Sequence, residues 1–196
     1  AKQNQLYLVA GTIPLETSDP SKVLNTTLAL IPLANKARYD KIHLFGFQTA
    51  TERYQESETI EAGNEPGILK ISVDGNDWTF GLSICYDLRF PELYRALGLV
   101  DCHIIPAAFT YTTGKDHWEI LLRARAIENQ CYVLASAQGG AHLNQRRTWG
   151  HSMLIDPWGE VLADLPEGEG FISGVLCKDK LNDVRSKLPA LVHRKL

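Results

Sequence analysis

The segment from Trp78 to Gln138 constrains the fold more than any other. It reads as an apolar run (WTFGLSIC), a helical stretch (PELYRAL), a second apolar run (CHIIPAA), a longer helical stretch (HWEILLRARAIENQ) and a third apolar run (CYVLASAQ). Pro91 suits the first turn of the shorter helix, where a missing N–H costs nothing, and Gly98 suits its C-terminal end. In the longer one, Trp118, Leu121, Leu122 and Ala126 recur at helical spacing, and Asp116, three residues before Glu119, resembles a capping box. Strand and helix alternating through the middle third argue an α/β fold with its sheet layers covered by helices.

The flanks are richer in β signals. LYLVAGTIPL and TTLALIPL, separated by the polar turn ETSDPSK, predict two neighbouring strands. ILKISVDG and WTFGLSIC predict a strand pair turning at Asp74, Gly75 and Asn76. HSMLIDPWGEVLADL predicts a hairpin turning at Pro157 and Gly159, and FISGVLC predicts one further strand. Between Phe45 and Pro66 no periodicity is visible, so this stretch reads as a long loop, a feature that compact domains mostly keep for function. There is no internal repeat and no low-complexity segment. With 44% hydrophobic residues in 196, the chain reads as one domain over residues 1–196 with its own core.

Charge and cysteine usage narrow the function classes. A net charge of −3 with scattered Lys and Arg offers no basic field, which argues against nucleic acid as a partner. No apolar run approaches the roughly 18 residues that a membrane span requires. The opening AKQNQLYLVAG lacks the pattern of a signal peptide, so a cytoplasmic location and no membrane partner are expected. Cys85, Cys102, Cys131 and Cys177 are spread thinly and are expected to be reduced. Neither a CxxC pair nor an HExxH is present, so no metal and no cofactor are expected. A serine hydrolase is unsupported, because there is no GxSxG.

Cys85 ends an apolar run and begins the passage SICYDLRFPEL into a helix. At such a place a side chain projects from the sheet edge and nearby backbone N–H groups lack partners. A thiol there attacks a carbonyl only as the thiolate, so it needs a neighbouring cation or base, while free N–H groups can hold an oxyanion. By position alone the same residue is more often a buried cysteine packing as a small hydrophobe. Lys41 alone reads as a solvated lysine at the start of a strand, and Glu56 as one of several loop acids. His43, His117 and His151 show no ligand spacing and read as hydrogen-bonding packing groups.

CYDLRFPEL, at Cys85 to Leu93, resembles the cysteine motif of the nitrilase-superfamily carbon–nitrogen hydrolases. RYDKIHLF around Lys41 resembles the lysine motif of that family, and QESETIEAGN around Glu56 its following acidic loop. PAAFTYTTGKDHWEILLRARAIENQCYV, GHSMLIDPWGEVLA and RSKLPALVHRK resemble further blocks in the family's order, so the likeness covers nearly the whole chain. The resemblance implies an αββα sandwich and a thiol amidase that cleaves a linear C–N amide bond through a cysteine thioester.

Carried over by motif, Cys85 is the nucleophile, Lys41 the cation that stabilises thiolate and oxyanion, and Glu56 the acid that orients the lysine. The Tyr86 N–H completes the oxyanion hole. Phe109, Thr110 and Trp118 are candidates for the substrate pocket, although a large apolar residue is more often core. Glu119 resembles a family glutamate near the cysteine, but a plain capping role fits it too. Arg89 and Glu128 are expected to pair and fix the cysteine turn on the next helix, while Arg89 or Arg123 is a conceivable contact for a substrate carboxylate.

The block from Pro106 to Gly140 most resembles the deaminated glutathione amidases. The ω-amidases, acting on 2-oxoglutaramate, and a non-catalytic binding relative are the alternatives. The implied partners are a small-molecule amide and further copies of the same chain, as a homodimer or larger assembly.

Family members begin with a strand and helix and then a second strand ending in a glutamate general base. This chain opens where the next strand of the family lies, and its Glu16 falls in a polar turn, so it is expected to be an extract of a longer protein.

Overall fold

A computed structural model describes residues 1–32, 36–48, 53–143 and 146–195. Strands β1 (Leu8–Glu16), β2 (Val23–Leu30) and β3 (Lys36–Asp40) form an antiparallel sheet. A short β4–β5 hairpin (Gly46–Gln48, Arg53–Gln55) follows, then β6 (Ile60–Glu61), which adds to β2 in parallel. A second hairpin, β7 (Gly67–Val73) and β8 (Asn76–Leu82), turns through Asp74 and Gly75, both at positive φ.

The chain then alternates: α1 (Pro91–Ala96), β9 (Cys102–Ala107), α2 (Tyr111–Asn129) and β10 (Tyr132–Ala137). A small pair, β11 (Gly139–Ala141) with β12 (Arg147–Trp149), precedes the hairpin of β13 (Ser152–Ile155) and β14 (Val161–Leu165). Helices α3 (Lys178–Lys187) and α4 (Ala190–His193) close the chain.

The second sheet has six strands in the order β14-β13-β10-β9-β8-β7. Its centre is parallel, β8 with β9 and β9 with β10, because α1 and α2 return the chain to the same end each time. β9 is buried along almost its whole length, as a strand covered on both faces must be. The three-stranded side of the first sheet meets the second through β3 against β7 and β1 against β9, while α2 packs on β10 and β13. One apolar cluster joins these layers, from Tyr39 on β3 through Leu82, Ile105 and Val133 on the central strands to Trp118 and Leu122 on α2. This is the mixed α/β sandwich that the alternation predicts. No helix among the described residues is long and apolar enough to cross a membrane.

Five sequence expectations are corrected. FISGVLC forms no strand; Phe171 and Val175 stand exposed, and residues 171–177 run without a ladder partner among the described residues. Helix α2 starts at Tyr111, with Thr110 in extended conformation before it, so Asp116 and Glu119 lie inside the helix and form no capping box. The early start brings Gly114 against Trp149, where an added Cβ would lie 2.3 Å from the Trp149 Cβ, so tertiary packing outweighs the poor helix propensity of YTTG. Lys41 follows the last residue of β3 instead of starting a strand, and Glu16 ends β1, exposed. The stretch from Phe45 to Pro66 holds β4, β5 and β6 and is not a structureless loop; its residues 49–52 lie outside the described residues.

The end of β3 is fixed on both sides. The Lys41 N–H donates to the Asn25 carbonyl at 2.9 Å, and the Lys41 carbonyl accepts from the Gly63 N–H at 2.8 Å. A Cβ on Gly63 would lie 2.2 Å from the Asp40 carbonyl oxygen, a backbone atom with no rotamer to yield. Gly63→Ala is therefore expected to cost about 1–3 kcal/mol, the usual scale of overpacking. Urea unfolding monitored by fluorescence would measure it, and a loss below a few tenths of a kcal/mol would mean that the chain at Lys41 yields.

Candidate active site

The turn after β8 carries the thiol. Ile84 leaves the strand in extended conformation, and residues Cys85–Arg89 wind into a single 3₁₀ segment before Pro91 opens α1. Cys85 itself sits at φ 51°, in the left-handed region that costs a residue with a Cβ about 1–3 kcal/mol. The first N–H groups of such a turn have no partner within it, which leaves the Tyr86 N–H able to receive an oxyanion.

Asp87 is what keeps this turn wound. Its carboxylate is fully buried and accepts four hydrogen bonds: from the Ile84 N–H at 2.8 Å, the Tyr39 hydroxyl at 2.7 Å, the His43 N–H at 3.0 Å and the His43 Nδ1–H at 2.8 Å. Burial first, and then the Asp87 charge, push the Tyr39 hydroxyl far above its usual range, so it stays a donor. His43 stacks on Phe90 with ring centroids 3.8 Å apart. The chain around Lys41 and the turn at Cys85 are thereby tied to one carboxylate. Sequence reasoning passed over Asp87, although an acid two residues after the cysteine was the available signal.

Lys41 is 1% exposed, a position an ammonium holds only when paired. Its Nζ donates to Glu56 Oε2, and the same oxygen accepts the Phe45 N–H at 2.7 Å. Lys41, Glu56 and Cys85 all line one open hollow, whose walls include Gly11, Thr12, Ala108 and Ser136. An adjoining hollow shares Glu56, Cys85, Ala108 and Arg146 with it and adds Phe45, Tyr86, Arg89, Phe109 and Thr110. A further hollow between the ends of α1, α2 and α4 is lined by neither a thiol nor a carboxylate.

Burial raises the Cys85 thiol above its usual range, opposed by the Lys41 charge and then by a hydrogen bond from the Ala108 backbone. The two other buried thiols, Cys102 and Cys131, have no lysine against them; burial pushes Cys131 up to about 12.

Of the residues expected from sequence, the structure thus brings Cys85, Lys41, Glu56 and Tyr86 together, with Phe109 and Thr110 on the wall. Trp118 is not a wall residue: it is fully buried behind Phe109, at a ring distance of 4.9 Å, and its indole N–H donates to the His151 carbonyl. Glu119 lies on the exposed side of α2, paired with Arg123 at 3.4 Å, and lines neither hollow. The Arg89–Glu128 pair does not form. Arg125 takes that role, donating twice to the Leu88 carbonyl (3.0 and 2.7 Å) and pairing with Glu128 at 2.8 Å, because it is Arg125 that faces the cysteine turn from α2. Arg89 instead contacts His117 Nδ1 at 3.2 Å and lies over the rings of Tyr86 and Phe109. Among the described residues no group of three or more His, Cys, Asp or Glu side chains is placed to hold a metal ion.

A mixed α/β sandwich with a strained cysteine at a strand-to-helix turn, beside a buried lysine paired with a half-buried glutamate, defines a class of thiol hydrolase. The carbon-nitrogen hydrolase family model matches residues 1–183, and the chain belongs to that family, within the nitrilase superfamily. A deaminated glutathione amidase of Synechocystis is 46% identical over 99% of this chain and 72% of its own length. One from Yersinia enterocolitica is 39% identical over the whole chain and 69% of its own length. Among solved structures, Saccharomyces cerevisiae Nit3 superposes with a TM-score of 0.79 at 32% identity, over 96% of this chain and 66% of that one. The Caenorhabditis elegans NitFhit protein gives 0.79 at 38% identity, over 99% of this chain and 48% of that one.

Since the Lys41 charge holds the thiol below where burial alone would put it, Lys41→Met is expected to move the alkaline rise of Cys85 alkylation by iodoacetamide to higher pH. The rate-against-pH profile, read by peptide mass spectrometry, checks this. An unmoved or downward-shifted midpoint would remove Lys41 from the electrostatics of the thiol.

Proposed function

We propose that this protein hydrolyses a linear amide through a thioester on Cys85, with deaminated glutathione as the substrate. The observation that carries the reading is the Cys85 turn itself: a non-glycine residue in left-handed conformation that lines a hollow together with the buried Lys41 and its partner Glu56. In the first step the Cys85 Sγ bonds to the amide carbon, and the carbonyl oxygen, now negative, lies between the Tyr86 N–H and the Lys41 ammonium. Collapse breaks the C–N bond, and the proton given up by the thiol ends on the departing amine. Water then cleaves the thioester, releasing the acid and restoring the thiol.

Glu56 orients Lys41 in this reading. Its Oε2 is shared between the ammonium and the Phe45 N–H, so the lysine is fixed before charge develops and needs no reorganisation in the transition state. Phe109 and Thr110 wall the substrate, and the amidase relatives support the choice of deaminated glutathione. Four free thiols support a reducing compartment, the cytoplasm. Ile120 and Ile127, 70% and 50% exposed on α2, support an assembly of two or more copies through that helix.

Cys85→Ala is expected to lower the hydrolysis of deaminated glutathione by about 1,000-fold or more, the scale of removing a covalent nucleophile. Cys177→Ala, at an exposed position, is expected to leave the rate largely intact. Release of the amine product measures both, and turnover persisting without Cys85 would overturn the reading.

A further inference from the structure

The core of the six-stranded sheet holds a polar side chain that the chemistry at Cys85 does not use. His103, on β9, is fully buried, and among the described residues neither of its ring nitrogens has a hydrogen-bond partner. Its ladder neighbours are Gly81 on β8 and Val133 on β10, which carry no polar side chain. A Cβ on Gly81 would lie 2.7 Å from the His103 Nδ1, so the ring is pressed against the backbone of β8. From α1, Tyr94 meets the ring edge-on with centroids 4.7 Å apart, and Leu97 packs at the same glycine.

A neutral imidazole fits this position, whereas an imidazolium would bring a charge and two N–H donors to a wall with no acceptor side chain among the described residues. The charged and titratable groups nearby do not relieve it. On α2, the Arg125 guanidinium lies over the Tyr94 ring at 5.2 Å and opposes a second cation. Glu128 already pairs with Arg125 at 2.8 Å, and Asp87 accepts its hydrogen bonds from Tyr39, His43 and Ile84. Burial keeps the Tyr94 hydroxyl protonated, and likewise the Cys102 and Cys131 thiols, which bond the His103 backbone. Burial first, and then the Arg125 charge, lower the His103 imidazole from 6.5 to about 3.

The layer that encloses this ring also holds the cysteine turn. Tyr94 shares a hydrogen bond with Ser83, two residues before Cys85, at 2.9 Å, and Arg125 donates to the Leu88 carbonyl inside the turn. We propose that His103 is an acid-sensitive switch: a proton on its ring is incompatible with the packed layer, so mild acid parts α1 and α2 from the sheet and frees the cysteine turn. The unfolded chain takes up this proton first. Stability from the neutral ring is therefore fully present above about pH 6.5 and is lost as pH falls toward about 3.

Urea unfolding of wild type, His103→Leu and His103→Gln between about pH 7.5 and about pH 4.5 tests the switch. At each pH the unfolding constant of wild type is divided by that of the variant, which cancels the carboxylates and the other histidines that both share. The quotient is expected to rise about fiftyfold or more across this range, approaching tenfold per pH unit at its acid end, for both variants. His193→Gln removes an exposed histidine on α4 and is expected to change the quotient by less than about fivefold. A quotient that stays flat for both His103 variants, or rises equally for His193→Gln, would overturn the proposal.

Hydrogen exchange locates the opening. At about pH 5, peptides spanning residues 85–97 are expected to exchange at least about tenfold faster in wild type than in His103→Leu, and equal exchange in the two proteins would overturn the link to the cysteine turn. Neither measurement involves turnover, so the switch stands or falls separately from the amidase reading.

Discussion

The buried carboxylate of Asp87 is the constraint on which the rest of the site depends. Holding Cys85 in the left-handed region costs about 1–3 kcal/mol. A hydrogen bond to a charged group contributes about 1.5–3 kcal/mol, and Asp87 accepts four, so the clamp outweighs the strain it maintains. Three of the four donors come from Tyr39 and His43, on either side of Lys41 in the chain, and the fourth from Ile84, just before the thiol. The same carboxylate therefore sets the shape of the cysteine turn and its position relative to the lysine. From the other side, Arg125 holds the Leu88 carbonyl and packs over Tyr94, which fixes the turn to α2.

That scaffold makes the electrostatics possible. A lysine 1% exposed is retained because Glu56 meets its charge, and Glu56 is in turn held by the Phe45 N–H. Burial disfavours the thiolate, and Lys41 opposes that penalty most strongly. The site is built to favour negative charge at the sulfur and at a developing oxyanion, which is where an acyl transfer to a thiol puts it. The parallel centre of the six-stranded sheet carries this end of β8 beside the end of β9, so the Ala108 backbone and the Phe109–Thr110 wall reach the same point.

Much of this was legible in the chain. The alternation between Trp78 and Gln138, the turn at Asp74 and Gly75, and the projection of Cys85 from a strand end follow from local rules of pattern and turn chemistry. What was not legible depends on three-dimensional neighbours. FISGVLC has the composition of a strand but pairs with no strand among the described residues. Trp118 and Glu119 sit in adjacent positions on α2, yet the helix phase sends one into the core and the other to the surface, and neither to the pocket. The guanidinium that binds the cysteine turn is that of Arg125, because α2 points it at Leu88, whereas Arg89 turns to His117 and the rings of Tyr86 and Phe109. Arg146 lies in a polar segment with no pattern of its own and reaches Cys85 only because the β11–β12 pair folds back against the Thr110 end of α2.

The central claim is that chemistry passes through a covalent acyl group on Cys85. Mixing the protein with deaminated glutathione, quenching in acid within milliseconds to seconds, and mapping peptides by mass spectrometry tests it most directly. The account predicts a peptide containing Cys85 heavier by the acyl group, with a bond labile to hydroxylamine, that disappears as substrate is exhausted. Rapid turnover with no acyl group on Cys85 at any quench time, or with the group on another residue, would contradict it.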